Sequence, residues 1–150
     1  MSEQNGYDLR LTWVDGMRFV AHAAASGSAM VLDGAPEYSG LGSAIRPMEA
    51  LLSSLAGCTA MDVISILRKK RQQVTGFYVN VNGYRADEHP RRYERIELEY
   101  VVCGHGVSEE AVARSIELSL TKYCSVTATL NAEIISRFRV KEEGTEEQDE

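Results

Sequence analysis

Residues 47–62 read PMEALLSSLAGCTAMD and predict the start of a long helix, which decides the fold of this chain. Pro47 suits the first helical position, where a missing N–H costs nothing, and Glu49 brings negative charge to the first turn. We expect the helix to end near Gln72, a length of roughly 40 Å at 1.5 Å per residue. Its first turns are apolar around most of their circumference, so the fold should envelop it. A chain this short supplies little sheet for that purpose, which favours burial between two subunits.

Alternating apolar and polar residues on both sides of this helix predict β-strands. The pair Asp15-Gly16 is a strong hairpin signal between the first two strands. The predicted strands are Tyr7–Val14, Met17–Ala24, Ala29–Leu32, Phe77–Tyr84, Tyr93–Cys103 and Ala132–Val140.

The remaining segments predict a loop and a second helix. Asp33–Arg46 contains Gly and Pro residues typical of a loop, and a loop of this length is often a lid or a binding loop. Ser108 is a good N-cap for a helix that reaches about Lys122, whereas residues 123–130 fit either a strand or a short helix. Hairpins that alternate with single helices predict an α+β fold with mainly antiparallel sheets.

Length and charge predict one domain with an acidic end. A chain of 150 residues is expected to form a single domain, which we place at residues 1–141. Residues 142–150 hold six acids, which supply most of the net charge of −6, and should form a disordered tail. The body is nearly neutral, and its basic cluster at residues 68–71 complements a helix end. We therefore expect no nucleic-acid partner.

The chain shows no sign of export or membrane insertion. No segment reaches the ~20 consecutive apolar residues of a membrane span, and the polar N-terminus lacks the apolar stretch of a signal peptide. The expected location is the cytoplasm, where thiols are kept reduced. Three cysteines, an odd number, also argue against a purely structural disulfide framework.

Cys58 and Cys124 are the candidate catalytic residues. Their spacing is wrong for a zinc knuckle and for a CxxC motif, but it suits two thiols that the fold brings together, one attacking and one resolving. Cys58 could equally be a small apolar residue on a helix face. Gly57 argues against that, because a mid-helix glycine costs ~1 kcal/mol and lets another group approach closely. Such chemistry needs no cofactor.

A thiol peroxidase also needs a cation, which stabilises the thiolate and the developing charge on the leaving oxygen. Arg46 is the first candidate, and Glu49 could hold it through a paired hydrogen bond. The two could equally be a local surface pair at the helix start. Cys103 is expected to be structural, and with His105 it lacks further ligands for a metal site. Asp62 is expected to make a polar contact in a dimer interface.

Two segments of the sequence resemble a known family. The motif in Pro47–Val63, with its LAGCTAMDV ending, and the later KYCSV at Lys122–Val126 are similar to those of the OsmC/Ohr proteins. These are osmotically inducible and organic hydroperoxide resistance proteins, and the OsmC-like branch is the more similar one. The resemblance covers about Tyr7–Val140.

The resemblance implies a fold and an activity. Family members are intertwined homodimers whose long central helices lie between two sheets, with active sites at the dimer interface. They reduce organic hydroperoxides in oxidative stress defence, and a dithiol reductant regenerates them. Cys58 would be the peroxidatic thiol and Cys124 the resolving one. The family's arginine comes from the N-terminal strands, which makes Arg18 the second candidate beside Arg46.

The sequence departs from the family pattern at three positions, one of them Thr121, where the OsmC branch often has histidine, and two other functions stay open. Met48 stands where the hydroperoxide resistance branch has glutamate, and Ser125 stands where proline is usual. One alternative is a dimer without enzymatic activity that binds an apolar ligand and keeps its cysteines in the core. The other is a redox sensor that uses the same disulfide to signal to a partner.

Overall fold

The computed structural model describes residues 6–144, which fall into two compact units on either side of the junction between Leu51 and Leu52. Each unit contains one three-stranded sheet. The predicted α+β class is confirmed. Most of the predicted acidic tail, residues 145–150, lies outside the described residues, and the single-domain assignment stays a prediction.

The first unit is an antiparallel meander of β1 (Leu9–Asp15), β2 (Arg18–Ala23) and β3 (Ala29–Leu32). The predicted Asp15-Gly16 turn joins β1 to β2, and Gly16 has the positive φ of 47° that such a turn favours. All three strands agree with the predicted ones to within two residues.

One face of this first sheet is apolar and open. Leu11 pairs with Ala21, which pairs in turn with Met30, so these side chains share a face with Leu9 and Trp13. Trp13 is 63% exposed, and the other large side chains of this set are exposed as well. We call the face formed by Leu9, Leu11, Trp13 and Met30 the open sheet face. Exposed apolar area of this kind marks an interaction surface.

Asp33, the first residue of the predicted loop, holds the loop together through hydrogen bonds to its carboxylate. The buried Asp33 carboxylate accepts hydrogen bonds from the Gly34 amide at 2.7 Å and from the Ser43 amide and hydroxyl at 3.0 and 2.6 Å. A parallel bridge between Leu32 and Ile45 brings the loop ends together. These bonds lower the pKa of Asp33 to about 2, with the Ser43 hydroxyl as the largest cause. A role as a lid or binding loop stays a prediction.

The long helix α1 runs from Pro47 to Lys69. It ends before the predicted Gln72, because Arg71 takes a left-handed φ of 57° and the Gln72 amide donates to the Leu67 carbonyl at 3.0 Å. A single stripe is buried, whereas Met61 is 72% exposed. The stripe comprises Leu55, Thr59, Val63 and Leu67. One chain therefore covers only part of this apolar helix.

α1 is long and apolar enough to cross a membrane when judged by length and composition alone. The sequence-based expectation counted consecutive apolar residues. Polar residues interrupt the apolar run of α1, so the helix did not reach that count. The core helix of a soluble protein passes the same test.

The second unit continues with a mixed sheet and three short helical segments. Its strands are β4 (Gln73–Arg85), β5 (Tyr93–His105) and β6 (Glu133–Glu142), in the order β4-β5-β6. Between β5 and β6 lie α2 (Glu109–Leu118), one π-helical turn (Ser119–Tyr123) and α3 (Ser125–Thr129). The ambiguous residues 123–130 thus form mainly a helix.

Two features of this sheet differ from the predicted ones. β4 begins at Gln73 and not at Phe77, and Gly76 lies at a register shift within the strand. β5 and β6 pair in parallel, the one exception among the strand pairs of residues 6–144 to the mainly antiparallel pairing predicted. The physical reason is the helical connection between them, because parallel neighbours need a crossover of a dozen or more residues.

The core of the second unit lies against the inner face of β5. The alternation predicted for this strand is confirmed, because Ile96, Leu98, Tyr100 and Val102 are all buried. Val112 and Ile116 of α2 are buried with them. The same face of β5 carries one polar group, the Tyr100 hydroxyl, toward α1.

Candidate active site

The structure brings Cys58 and Cys124 together. Cys58 lies in α1, Cys124 is the N-cap of α3, and the Cys124 thiol is close enough to Cys58 to raise the pKa of Cys58. Both are free thiols. Cys58 is half-buried, whereas Cys124 is only 4% exposed. The two thiols therefore differ in how readily a small molecule reaches them.

The π-helical turn delivers Cys124 to this position. The Cys124 amide donates to the Ser119 carbonyl at 2.8 Å, a bond that spans five residues and closes the wider turn. Its sulfur then accepts the Thr127 amide at 3.4 Å and caps α3. Single π-helical turns of this kind often occur at functional sites.

Backbone amides and the second thiol set the electrostatics at Cys58. The Val126 amide lowers the pKa of Cys58 because it donates to the thiolate, and the Ser125 amide acts in the same direction. Burial and the adjacent Cys124 thiol oppose this effect, since both disfavour a second negative charge at this place. The pKa of Cys58 ends above its ordinary value. Among residues 52–144, no cation contributes to this shift.

The other predicted site residues lie in residues 6–51 and have local partners. The Arg46 amide donates to Glu49 Oε1 at 3.0 Å, and the Arg46 guanidinium Nε lies 4.0 Å from the same oxygen. Both side chains are more than half exposed. Arg18 Nε donates to Asp15 Oδ1 at 2.6 Å across the β1–β2 turn. The choice between Arg46 and Arg18, and the role of Glu49, stay predictions.

The reasoning from sequence missed a row of buried hydroxyl groups beside the thiols. The Tyr100 hydroxyl lies 2.8 Å from Thr59 Oγ1, which lies 2.9 Å from Ser119 Oγ, and that oxygen lies 2.7 Å from Asp62 Oδ2. We call Tyr100, Thr59, Ser119 and Asp62 the buried hydroxyl chain. Asp62 was expected in a dimer interface, but its carboxylate accepts a bond within its own chain. The spacing of Thr59 and Asp62, three residues apart on one helix face, was the available signal.

The third cysteine, Cys103, lies in the second sheet and not on a helix. Cys103 of β5 pairs with Gly76 on one side and with Lys141 on the other. His105, considered with it as a metal ligand, has its Nε2 2.5 Å from Glu143 Oε2. Within residues 6–144, no group of three or more His, Cys, Asp or Glu side chains could hold a metal ion.

Fold and site together define a class of protein. Two three-stranded sheets accompany a long apolar helix, and a thiol on that helix meets a second thiol at the start of a short helix. A sequence model of the family described as OsmC-like protein matches residues 40–138. The chain belongs to the OsmC-like family, and the predicted family is confirmed.

Individual relatives agree with this assignment. Protein YhfA of Escherichia coli (strain K12) is 41% identical over 121 residues, which are 81% of this chain and 87% of YhfA. The crystal structure of a hypothetical protein from Aquifex aeolicus VF5 is 32% identical, with a TM-score of 0.78 over 90% of this chain and 96% of that chain. An organic hydroperoxide resistance protein OsmC from Legionella pneumophila shares the fold, at 11% identity and a TM-score of 0.62 over 90% and 97% of the two chains.

Proposed function

We propose that this protein is a homodimeric, cytoplasmic peroxidase that reduces organic hydroperoxides with Cys58 and Cys124 in oxidative stress defence. The contact between the two thiols carries the proposal, because a disulfide requires both sulfurs at one place. The fold neighbour from Legionella pneumophila bears the description of an organic hydroperoxide resistance protein, which supports the same activity by analogy.

The chemistry divides into three balanced steps. The Cys58 thiolate attacks the outer oxygen of a hydroperoxide, the O–O bond breaks, and the departing alkoxide takes a proton to give the alcohol. Cys58 is then a sulfenic acid. The Cys124 sulfur attacks the Cys58 sulfur, an S–S bond forms, and the hydroxyl group leaves as water. A dithiol reductant supplies two electrons and two protons to restore both thiols.

Exposure and hydrogen bonding assign the two roles. Cys58 is the more accessible thiol, and the Val126 amide stabilises its thiolate. Cys124 is buried and caps α3, which suits a group that waits for the sulfenic acid and does not meet the hydroperoxide. We therefore assign attack to Cys58 and resolution to Cys124.

We infer that a cation completes the site, since thiol peroxidase chemistry needs one and the pKa of Cys58 is raised. An arginine would favour the thiolate and would also stabilise the alkoxide as it leaves. Arg46, held by Glu49, is our first candidate for this role and Arg18 is the second. Either subunit of a dimer could supply it.

The exposed apolar surface supports the homodimer. The open sheet face and the exposed side of α1, including Met61, would be covered by a second copy of the chain. Burial of such area is the main favourable term in subunit association. The predicted packing of the central helices between subunits would use this same surface.

The test is turnover of cumene hydroperoxide and tert-butyl hydroperoxide with dithiothreitol as the dithiol. We expect Cys58→Ser to abolish turnover and Cys124→Ser to accumulate a sulfenic acid that a dimedone probe traps. Cys103→Ser is the matched control and should keep wild-type rates, because Cys103 lies away from the pair on β5.

Other results would redirect the proposal. Wild-type protein no faster than Cys58→Ser would overturn the peroxidase and favour a dimer that binds an apolar ligand. Rapid disulfide formation followed by very slow turnover would instead favour a redox sensor.

A further inference from the structure

We propose that the buried hydroxyl chain is a positioning device that holds Cys124 against Cys58 for disulfide formation. The inference deepens the proposed function and rests on it only where Cys124 is treated as the resolving thiol. The four side chains are positioning residues, since none of them forms or breaks a bond in the reaction.

Ser119 is the donor at the centre of the buried hydroxyl chain. The Asp62 carboxylate can only accept, so Ser119 donates its single hydroxyl proton to Asp62. The Ser119 hydroxyl also donates toward Thr59 Oγ1 at 2.9 Å, so its one proton is shared between Asp62 and Thr59, and Thr59 is hydrogen-bonded in turn to the Tyr100 hydroxyl. Burial raises the pKa of Tyr100 to about 12, so this phenol keeps its proton in the neutral range. Asp62 is therefore the acceptor at one end of the buried hydroxyl chain, and Tyr100 lies at the other end.

Ser119 links the buried hydroxyl chain to the backbone segments that carry the two thiols. Its hydroxyl bonds to Thr59, which follows Cys58 in α1, and its carbonyl accepts the Cys124 amide at 2.8 Å. One residue thus ties the helix that carries the first thiol to the turn that carries the second. Loss of the Ser119 hydroxyl would free the π-helical turn to move relative to α1.

Neighbouring hydroxyl groups show that this role is specific to Ser119. Ser115, four residues earlier and equally buried, donates back to the Ala111 carbonyl of its own helix at 2.6 Å. Thr121 likewise donates to the Glu117 carbonyl at 2.6 Å. Such bonds satisfy the hydroxyl locally and hold no other element in place. Ser119 instead reaches across to α1.

Because the buried hydroxyl chain is shielded from water, we expect the loss of any one of its side chains to disturb the arrangement of the others. Ser119 and Thr59 are fully buried, so removal of either hydroxyl costs its neighbours one hydrogen bond in a region of low dielectric. A fully satisfied polar network in a core specifies one arrangement of the elements around it. Here those elements are α1, β5 and the π-helical turn.

The experiment is the redox equilibrium of the purified protein with reduced and oxidised glutathione, which reports the effective concentration of one thiol at the other. Ser119→Ala should lower the equilibrium constant for the Cys58–Cys124 disulfide by about tenfold. Ser119→Thr keeps a hydroxyl and should restore most of it. Ser115→Ala, which removes an equally buried hydroxyl, should leave the equilibrium within about twofold of wild type.

A second variant, Asp62→Ala, tests the acceptor end of the buried hydroxyl chain. Asp62 is only half-buried, so Asp62→Ala should fold even if Ser119→Ala does not, and it should shift the equilibrium in the same direction. Equal effects of Ser119→Ala and Ser115→Ala, or a wild-type equilibrium for Asp62→Ala, would overturn the positioning role. A wild-type protein without peroxidase turnover would overturn the proposed function alone, because the glutathione equilibrium needs no hydroperoxide.

Discussion

The amide of Cys124 donates to the carbonyl of Ser119 at 2.8 Å, so the second thiol begins α3 and does not extend α2. The bond spans five residues, and the chain turns more widely here than in an α-helix. This widening lets the Cys124 sulfur cap a new helix and still meet Cys58. Both thiols consequently share the N-terminus of α3.

Removal of the second thiol should lower the pKa of Cys58. The Cys124 thiol raises that pKa through its hydrogen bond and its charge, while the Val126 amide lowers it. In a Cys124→Ala, Cys103→Ser protein, only Cys58 remains to be alkylated. The rate of its reaction with iodoacetamide should rise at a lower pH than in Cys103→Ser protein. An unchanged or higher midpoint would contradict the arrangement described here.

A charge on the open sheet face should dissociate the proposed dimer. Trp13→Glu replaces a large, 63% exposed apolar side chain and should weaken association by about 2 kcal/mol or more per subunit. Thr12→Glu is the matched control, because neighbouring strand residues point to opposite faces. Analytical ultracentrifugation should find Trp13→Glu monomeric and Thr12→Glu dimeric. Dimers of Trp13→Glu would place the interface elsewhere.

Alanine should have opposite effects at two glycines. At Gly57 an added Cβ meets no atom within 4 Å among the described residues, so Gly57→Ala should stabilise α1 by up to ~1 kcal/mol. The close approach predicted for this glycine is therefore absent from residues 6–144 of a single chain. At Gly83 an added Cβ would lie 2.3 Å from the Tyr93 ring, so Gly83→Ala should cost about 1–3 kcal/mol.

Urea denaturation at one protein concentration measures both free energies of unfolding. A destabilised Gly57→Ala would indicate that a second subunit packs against this part of α1. A neutral Gly83→Ala would show that the Tyr93 ring moves aside at little cost.

The loop after β3 should lose stability in acid. The pKa of Asp33 is about 2 in the folded protein, below its ordinary value of 3.8, chiefly because the Ser43 hydroxyl donates to the carboxylate. The ionised form therefore stabilises the fold above about pH 4, and this contribution is lost as the pH falls toward 2. Hydrogen exchange of the Ser43 amide should accelerate in that interval.

Asp33→Asn is the control for this pH dependence. The amide cannot titrate, so the exchange rate of the Ser43 amide should lose its acid-dependent part after correction for intrinsic exchange. The carboxyl carbon shift of wild-type Asp33 should titrate near pH 2, and a midpoint near 3.8 would contradict the hydrogen bonds to Ser43.

Local pattern was enough for most of the secondary structure. The start of α1 at Pro47 followed from a residue with no amide hydrogen and an apolar run behind it. The three strands of the first sheet followed from alternation and from the turn signal at Asp15-Gly16. These patterns depend on residues close together in sequence, so they can be interpreted without knowledge of the rest of the chain. The parallel pairing of β5 and β6 was not predicted, because it depends on the crossover between them.

The sequence by itself determined the family, the two candidate thiols and the helix that carries Cys58, since each depends on residue type and short-range spacing. The tertiary structure decided that Cys124 begins a helix and meets Cys58, and that Asp62 ends a chain of hydroxyl groups within the same protein. Thr59 and Ser119 look like ordinary helical residues in sequence. Their roles arise only in the folded protein, where α1, β5 and the π-helical turn exclude water. The buried hydroxyl groups then form hydrogen bonds with each other.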